Sequence, residues 1–289
     1  MMEMTHTISS NDCLMQLFEE RREIEDYQKG VPRWCTGCGD NAILTAVQRL
    51  CRDEGLLPEK TVFVSGIGCS SRLPHYMNTY GFHGIHGRAL PLATGLKLAR
   101  PELTVIVASG DGDALSSGGN HFLHACRRDV DLTCIVMDNA VYGMTKGQPS
   151  PTTAPDWHSK IAPGGPGFNP LQPLAVALAA GASFIARGFS GDPNGIVHLL
   201  IEAIRHPGFA LVQVLSPCVT YRPEEKAWKQ QVHAAGVEPT AAPVEAARRL
   251  FADDGLSTGI FYQRQPSPPT APLRPASRDL TAIEAAFAL

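Results

Sequence analysis

Two groups of residues have types and spacings that could carry chemistry. The first is Gly110-Asp111-Gly112-Asp113 followed by Asn139. Gly110 comes directly after the apolar run Leu103–Ser109, and Asn139 directly after the next such run, Leu132–Asp138. Glycines let a backbone approach a diphosphate closely. An aspartate carboxylate, an asparagine amide oxygen and the backbone carbonyl of Val141 are hard oxygen donors. With two diphosphate oxygens and a water they would complete the octahedron that Mg²⁺ prefers. A lone Gly-Asp-Gly is a weak signal, and its bland reading is that Asp111 and Asn139 cap a helix and a turn. The pairing across one strand–helix–strand step lifts it above that. Ligands of α/β sheets gather at the carboxyl ends of neighbouring strands.

The second group is drawn from eight cysteines. Cys35 and Cys38 form a Cys-x-x-Cys pair in the Gly-rich stretch WCTGCGD. Cys69 follows one apolar run, in GIGCSS, and Cys218 follows another, in SPCVTY. Loops and strand ends are where ligands are free to converge. Four thiolates suit either Zn²⁺ or an iron–sulfur cluster, and spacing does not separate the two. The closely spaced cysteine run of a bacterial ferredoxin is absent, so one cluster at most is expected. Cys13, Cys51, Cys126 and Cys134 fall inside helical or strand patterns, where a cysteine is ordinarily a small buried hydrophobe. An exposed Cys-x-x-Cys with no ligand would be a redox liability.

These residues need a frame. Thr61–Ser65, Leu103–Ser109, Leu132–Asp138, Ala182–Arg187 and Phe209–Leu215 are continuous apolar runs of the kind buried on both faces of a parallel sheet. Helical spacing separates them over Leu90–Ala99, Gly119–Arg127, Leu171–Ala180 and Gly195–Arg205. Another helix follows Asp40, a plausible N-cap, with Ile43, Leu44, Val47 and Leu50 on one face. The alternation predicts an α/β fold, a doubly wound and mostly parallel sheet. Residues 1–30 read as a charge-rich helical lead-in, 31–222 as the ligand-binding domain, and 223–289 as a C-terminal extension. That extension contains a helix over Pro243–Asp253 and a Pro-rich tail that could wrap a partner. The long Pro/Gly/Thr-rich stretch Lys146–Pro173 is expected to be a functional loop.

Composition narrows the classes. The chain has 289 residues, 44% hydrophobic and 18% charged, with a formal net charge of -3 and the two signs interspersed. Neither nucleic acid nor a membrane surface is expected as a partner. No apolar run reaches the roughly 18 residues of a membrane helix, and the N-terminus lacks the pattern of a secretory signal. A cytoplasmic setting with reduced thiols is therefore expected.

The stretches WCTGCGD, SGIGCSSRLPHYMNTYGFHGIHGRALPLATGLKLA, GDGDALSSGGNH, MDNAVYGMTKGQPSPTT and SPCVTY together resemble the β subunit of 2-oxoacid:ferredoxin oxidoreductases. The likeness runs from about Pro32 to Tyr221 and is far more specific than either motif alone. It implies a sheet of the thiamine-diphosphate-binding type. It also implies that Cys35, Cys38, Cys69 and Cys218 hold a 4Fe–4S cluster, and that Asp111, Asn139 and the Val141 carbonyl hold Mg²⁺. Ile67, Gly68, Cys69, Ser70, His86, Gly112, Asp113, Gly143 and Met144 match positions lining thiamine diphosphate. Lys146 is a candidate contact for a substrate carboxylate or a coenzyme A phosphate, with a solvated loop lysine as the alternative. His83 is left without a role, and Arg88 could cap a helix or meet an anion.

The reaction implied is oxidative decarboxylation of a 2-oxoacid, with coenzyme A taking the acyl group and ferredoxin the electrons, reversibly. The 2-oxoglutarate branch, yielding succinyl-CoA, is favoured over pyruvate. The glutamate that activates the cofactor is expected on an α subunit, which makes αβ or α2β2 the active form. Two rivals remain: a stand-alone thiamine-dependent decarboxylase or carboligase, and a non-catalytic assembly subunit stabilised by Zn²⁺.

Overall fold

The computed structural model describes residues 22–265. The lead-in up to residue 21, Cys13 and the Pro-rich tail lie outside the described residues. The helix expected over the end of the lead-in is a short 3-10 turn, Ile24–Tyr27, with Tyr27 fully buried.

The apolar runs pair as one eight-stranded sheet. Its strands are β1 (Thr61–Ser65), β2 (Tyr80–His83), β3 (Thr104–Gly110), β4 (Leu132–Asp138), β5 (Phe184–Phe189), β6 (Phe209–Leu215), β7 (His233–Ala234) and β8 (Ser257–Gln263). Their order across the sheet is β2-β1-β3-β4-β6-β5-β8-β7. All neighbours are parallel except β8, which runs antiparallel to β5. Side chains alternate between faces along a strand. Val62, Val64, Val105 and Val107 therefore face one core, while Phe63, Ile106 and Ala108 face the other.

Helices cover both faces. Ala89–Ala99 (α2), Gly119–Arg128 (α3), Pro173–Ala180 (α4) and Pro243–Ala252 (α6) pack on the first core. Gly39–Asp53 (α1) and Pro193–Arg205 (α5) pack on the second. This is the doubly wound arrangement expected. Three strands match their expected bounds and the other two differ by a residue or two at their ends.

Three features depart from the sequence reading. Asp40 is not the N-cap of α1: Cys38 holds that position, and Asp40 lies buried within the first turn. A turn closed by Cys38 N–H donating to the Cys35 carbonyl, 3.0 Å, starts the helix earlier. Strands β2, β7 and β8 were also not foreseen. Residues 223–265 are not a detached appendage, since α6 packs on the first core and β8 extends the main sheet.

Candidate functional site

Four adjacent parallel strands, β1, β3, β4 and β6, end on one edge of the sheet. The loops leaving them carry 66–70, 110–113, 139–145 and 216–218. One pocket on this edge is lined by Ile67, Gly68, Cys69, Ser70, His86, Asp111, Gly112, Asp113, Asn139, Val141, Gly143 and Met144. Every residue assigned above to the diphosphate cofactor or to Mg²⁺ is among them. Lys146 is not: it is exposed, just beyond the lining residue Thr145, with a left-handed φ of 80°.

Gly112 is required by close approach. A Cβ there would stand 2.2 Å from Cε1 of Tyr142, whose hydroxyl donates to the Gly112 carbonyl at 3.3 Å. After it, Asp113–Ser117 wind as a π-helical turn, a form that concentrates at functional sites. The Asp113 carboxylate faces the protein frame rather than open pocket. Its Oδ1 accepts from Ile67 N–H at 3.0 Å and Gly87 N–H at 2.7 Å, and its Oδ2 from the Ser109 hydroxyl at 2.7 Å. One carboxylate thus ties two loops to the end of β3. His86 stands beside it, Nδ1 3.6 Å from Oδ1, with that ring nitrogen buried and lacking a hydrogen-bond partner.

Asp111 is buried, and burial together with the neighbouring Asp138 pushes its pKa up to about 7. The Thr152 hydroxyl lies 2.8 Å from an oxygen of each carboxylate. A hydroxyl donates one hydrogen, so it serves one of the two at a time. Asp138 also accepts from the Gln213 amide at 2.7 Å and the Ala140 N–H at 3.1 Å. Two buried carboxylates so close favour a bound cation. The donors present, a carboxylate, the Asn139 amide and the Val141 carbonyl, fit Mg²⁺. Thr152, Asp138 and Tyr142 were missed by sequence reasoning. Only the proximity of the PTT and DNAVY stretches to the motif hinted at them.

The four cysteines converge beside the pocket. A methyl group at Gly143 would stand 3.6 Å from Cys218 Sγ and 3.9 Å from Cys69 Sγ. Burial pushes the Cys69 thiol up to about 11 and the Cys38 thiol far above its usual value, each raised further by the Asp40 carboxylate and then by the neighbouring sulfurs. Cys35 is exposed, and the other three are half-buried. Hydrogen bonds outside the sulfurs stitch the segments together. The Trp34 indole donates to the Cys69 carbonyl at 2.7 Å, and the Ser216 hydroxyl to Asp40 Oδ1 at 2.7 Å. The Asn41 amide reaches the carbonyls of Cys35 and Cys38, each at 3.3 Å. Among the described residues no three His, Cys, Asp or Glu side chains are gathered closely enough to hold a single metal ion. A multi-iron cluster spreads its thiolates more widely than one ion does. Cys51, Cys126 and Cys134 are fully buried among apolar side chains.

His83 and Arg88 also have places. His83 Nδ1 lies 2.8 Å from the Ser71 carbonyl and 3.2 Å from the Ser65 hydroxyl. Arg88 occupies the N-cap of α2, and its guanidinium donates to the Ser117 carbonyl at 3.2 Å.

Comparison with known proteins agrees with this geometry. Residues 66–214 match the family model of the thiamine pyrophosphate enzyme C-terminal, TPP-binding domain. The chain is a thiamine-diphosphate-binding protein by fold and by family. It is 41% identical to 2-oxoacid:ferredoxin oxidoreductase 2, subunit beta, from Aeropyrum pernix, over 81% of this chain and 80% of that one. It is 50% identical to the 2-oxoglutarate oxidoreductase subunit KorB of Mycobacterium tuberculosis, over 64% of this chain but only 50% of that one. A solved structure of 2-oxoglutarate:ferredoxin oxidoreductase from Magnetococcus marinus, with 2-oxoglutarate, coenzyme A and succinyl-CoA bound, superposes with a TM-score of 0.86. It is 35% identical and covers 93% of this chain and 97% of that one. The chain belongs to the family of 2-oxoacid:ferredoxin oxidoreductase β subunits.

Proposed function

We propose that this chain is the β subunit of an enzyme that oxidatively decarboxylates a 2-oxoacid, 2-oxoglutarate in preference, to an acyl-CoA, carbon dioxide and reduced ferredoxin, reversibly. The observation that carries it is Cys69, which lines the cofactor pocket and also faces Cys218 in the cysteine corner. Cofactor and electron acceptor would then be neighbours. Residues 31–222 form the unit that binds both, in our reading, and the remainder supports it.

Thiamine diphosphate, when bound, supplies the nucleophilic carbon and the electron sink for decarboxylation. The chain's part is to hold and orient. Asp111, Asn139 and the Val141 carbonyl would hold Mg²⁺ against the diphosphate, with Gly112 leaving room for it. Asp113 fixes the loops of Ile67 and Gly87 that wall the pocket. Cys35, Cys38, Cys69 and Cys218 would hold one 4Fe–4S cluster, whose iron would stabilise thiolates that burial disfavours as free anions.

No glutamate lines the pocket among the described residues. An α subunit is therefore proposed to supply the carboxylate that activates the cofactor, and to share the substrate pocket. Cysteines that are all free among the described residues accord with a cytoplasmic setting. No helix of the described residues is long and apolar enough to cross a membrane.

The test is anaerobic co-purification with the α subunit, then an iron, sulfide and zinc count and a visible spectrum. The expected result is a four-iron cluster per β chain, its brown absorbance bleached by 2-oxoglutarate with coenzyme A. Bleaching only by pyruvate would move the substrate to pyruvate. A colourless zinc protein would end the redox reading.

A further inference from the structure

The cysteine corner is not symmetric. Cys35 is its exposed member, and the Thr220 hydroxyl donates to the Cys35 sulfur at 3.4 Å, across 185 residues of sequence. The position of Thr220 is imposed by the frame. On one side, Ser216 at the end of β6 is tied to Asp40 of α1. On the other, Arg222 closes the turn, its N–H donating to the Cys218 carbonyl at 2.9 Å. The Arg222 guanidinium is buried. It donates to the Ala140 carbonyl at 3.1 Å and to Glu224 at 2.7 Å, and it lies over the Trp157 ring at 5.2 Å. Two residues pinned at either end thus hold the backbone of Thr220, itself an exposed residue, beside Cys35.

A donor aimed at a ligating sulfur acts on electron affinity. Reduction adds one electron to a cluster, and part of that charge resides on the thiolate sulfurs. A hydrogen bond to such a sulfur strengthens as its charge grows. It therefore stabilises the reduced form more than the oxidised form, and hydrogen bonds to sulfur are among the factors that set cluster potentials. We propose that the Thr220 hydroxyl raises the reduction potential of the cluster through its hydrogen bond to Cys35, making Thr220 a tuning residue for electron uptake from the cofactor. This rests on the cluster assignment above. It concerns a residue that does not line the candidate cofactor pocket.

The experiment uses the αβ complex, purified anaerobically, with Thr220→Val, Thr220→Ala and Thr220→Ser. Iron and sulfide per chain are counted for each, and the midpoint potential is read by titration followed by electron paramagnetic resonance. The expected result is full iron content throughout, with the Val and Ala variants shifted to more negative potential and the Ser variant at the wild-type value. A Val or Ala variant with full iron and the wild-type potential overturns the proposal. Loss of iron in Val and Ala, with Ser intact, also overturns it, because Thr220 would then be structural rather than tuning. Wild-type complex without a four-iron signal would instead defeat the cluster assignment itself. The metal count separates that failure from the others.

Discussion

At the scale of single residues, the site divides into groups that would touch a ligand and groups that hold those in place. Thr152 belongs to the second kind. Its hydroxyl stands between the carboxylates of Asp111 and Asp138. Partners of metal ligands orient them, and losing one typically weakens metal affinity about 10- to 100-fold. Thr152→Val is therefore expected to raise the Mg²⁺ concentration needed for thiamine diphosphate binding by about that factor. Cofactor fluorescence quenching titrated against Mg²⁺ would read it, and an unchanged midpoint would remove Thr152 from the site. Asp111 and the Cys35–Cys38 pair stand out in the sequence because Gly-Asp-Gly and Cys-x-x-Cys carry local signatures. Thr152 does not, because it is defined by which loop folds back over which strand end. Asp113 shows the same limit. Its place in the pocket was foreseen, but not that both its oxygens are taken by Ile67, Gly87 and Ser109.

At the scale of elements, the central strands were legible because burial on both faces demands an uninterrupted apolar run. β2, with the sequence YGFH and every residue exposed, carries no such run. β8 was hidden for a different reason: it is an edge-side antiparallel strand with half-buried positions, set in a segment that reads as a tail. Beside its apolar contacts with the first core, a polar cluster also joins that segment to the sheet. Asp253, at the end of α6, pairs with the Arg187 guanidinium of β5 and accepts from Ser257 of β8. Arg187 also donates to Gln213 of β6 at 2.9 Å, and its guanidinium lies over the Phe261 ring. Burial alone would push the Asp253 carboxyl up. The Ser257 and Arg187 hydrogen bonds and the Arg187 charge outweigh it and hold the pKa below the usual carboxylate value. A depressed folded-state pKa means that the unfolded chain binds the proton more readily. The stabilisation is thus present above the unfolded pKa, near 4, and is lost as pH falls through the folded value. Asp253→Asn is expected to destabilise the protein by about 3 kcal/mol at pH 7, since it leaves Arg187 buried without its counter-charge. The gap to wild type should narrow at about pH 3. Denaturant midpoints at both pH values would check this, and a gap of equal size at each would refute the ionic account.

At the scale of the whole molecule, the most informative surface is the one beside the cofactor pocket. β2 is the sheet's outer strand on that side, and one of its edges has no partner among the described residues. Tyr80 and Phe82 on it are 63% and 51% exposed, and Ile85 in the following loop is 70% exposed. Leu92 of α2, also exposed, lies over Gly84 between them. Scattered apolar residues on a surface mean little, but a contiguous patch on an unpaired strand is a liability that proteins ordinarily cover. The patch runs directly into the pocket through His86. Among the described residues, no glutamate of the kind the proposed chemistry needs lines that pocket. One partner docked here would meet both requirements, and the α subunit is the partner that the family relationship implies. Charges placed at the centre of such a surface should be far more damaging than charges at its rim, because they would have to be buried without a counter-ion. Phe82→Asp and Ile85→Asp are therefore expected to abolish co-purification of the α subunit. The lone chain should keep its wild-type circular dichroism and thermal midpoint, since both side chains already face outward. Retention of α by both variants would place the interface on another face. Loss of α together with loss of the chain's own fold would assign the patch to internal stability.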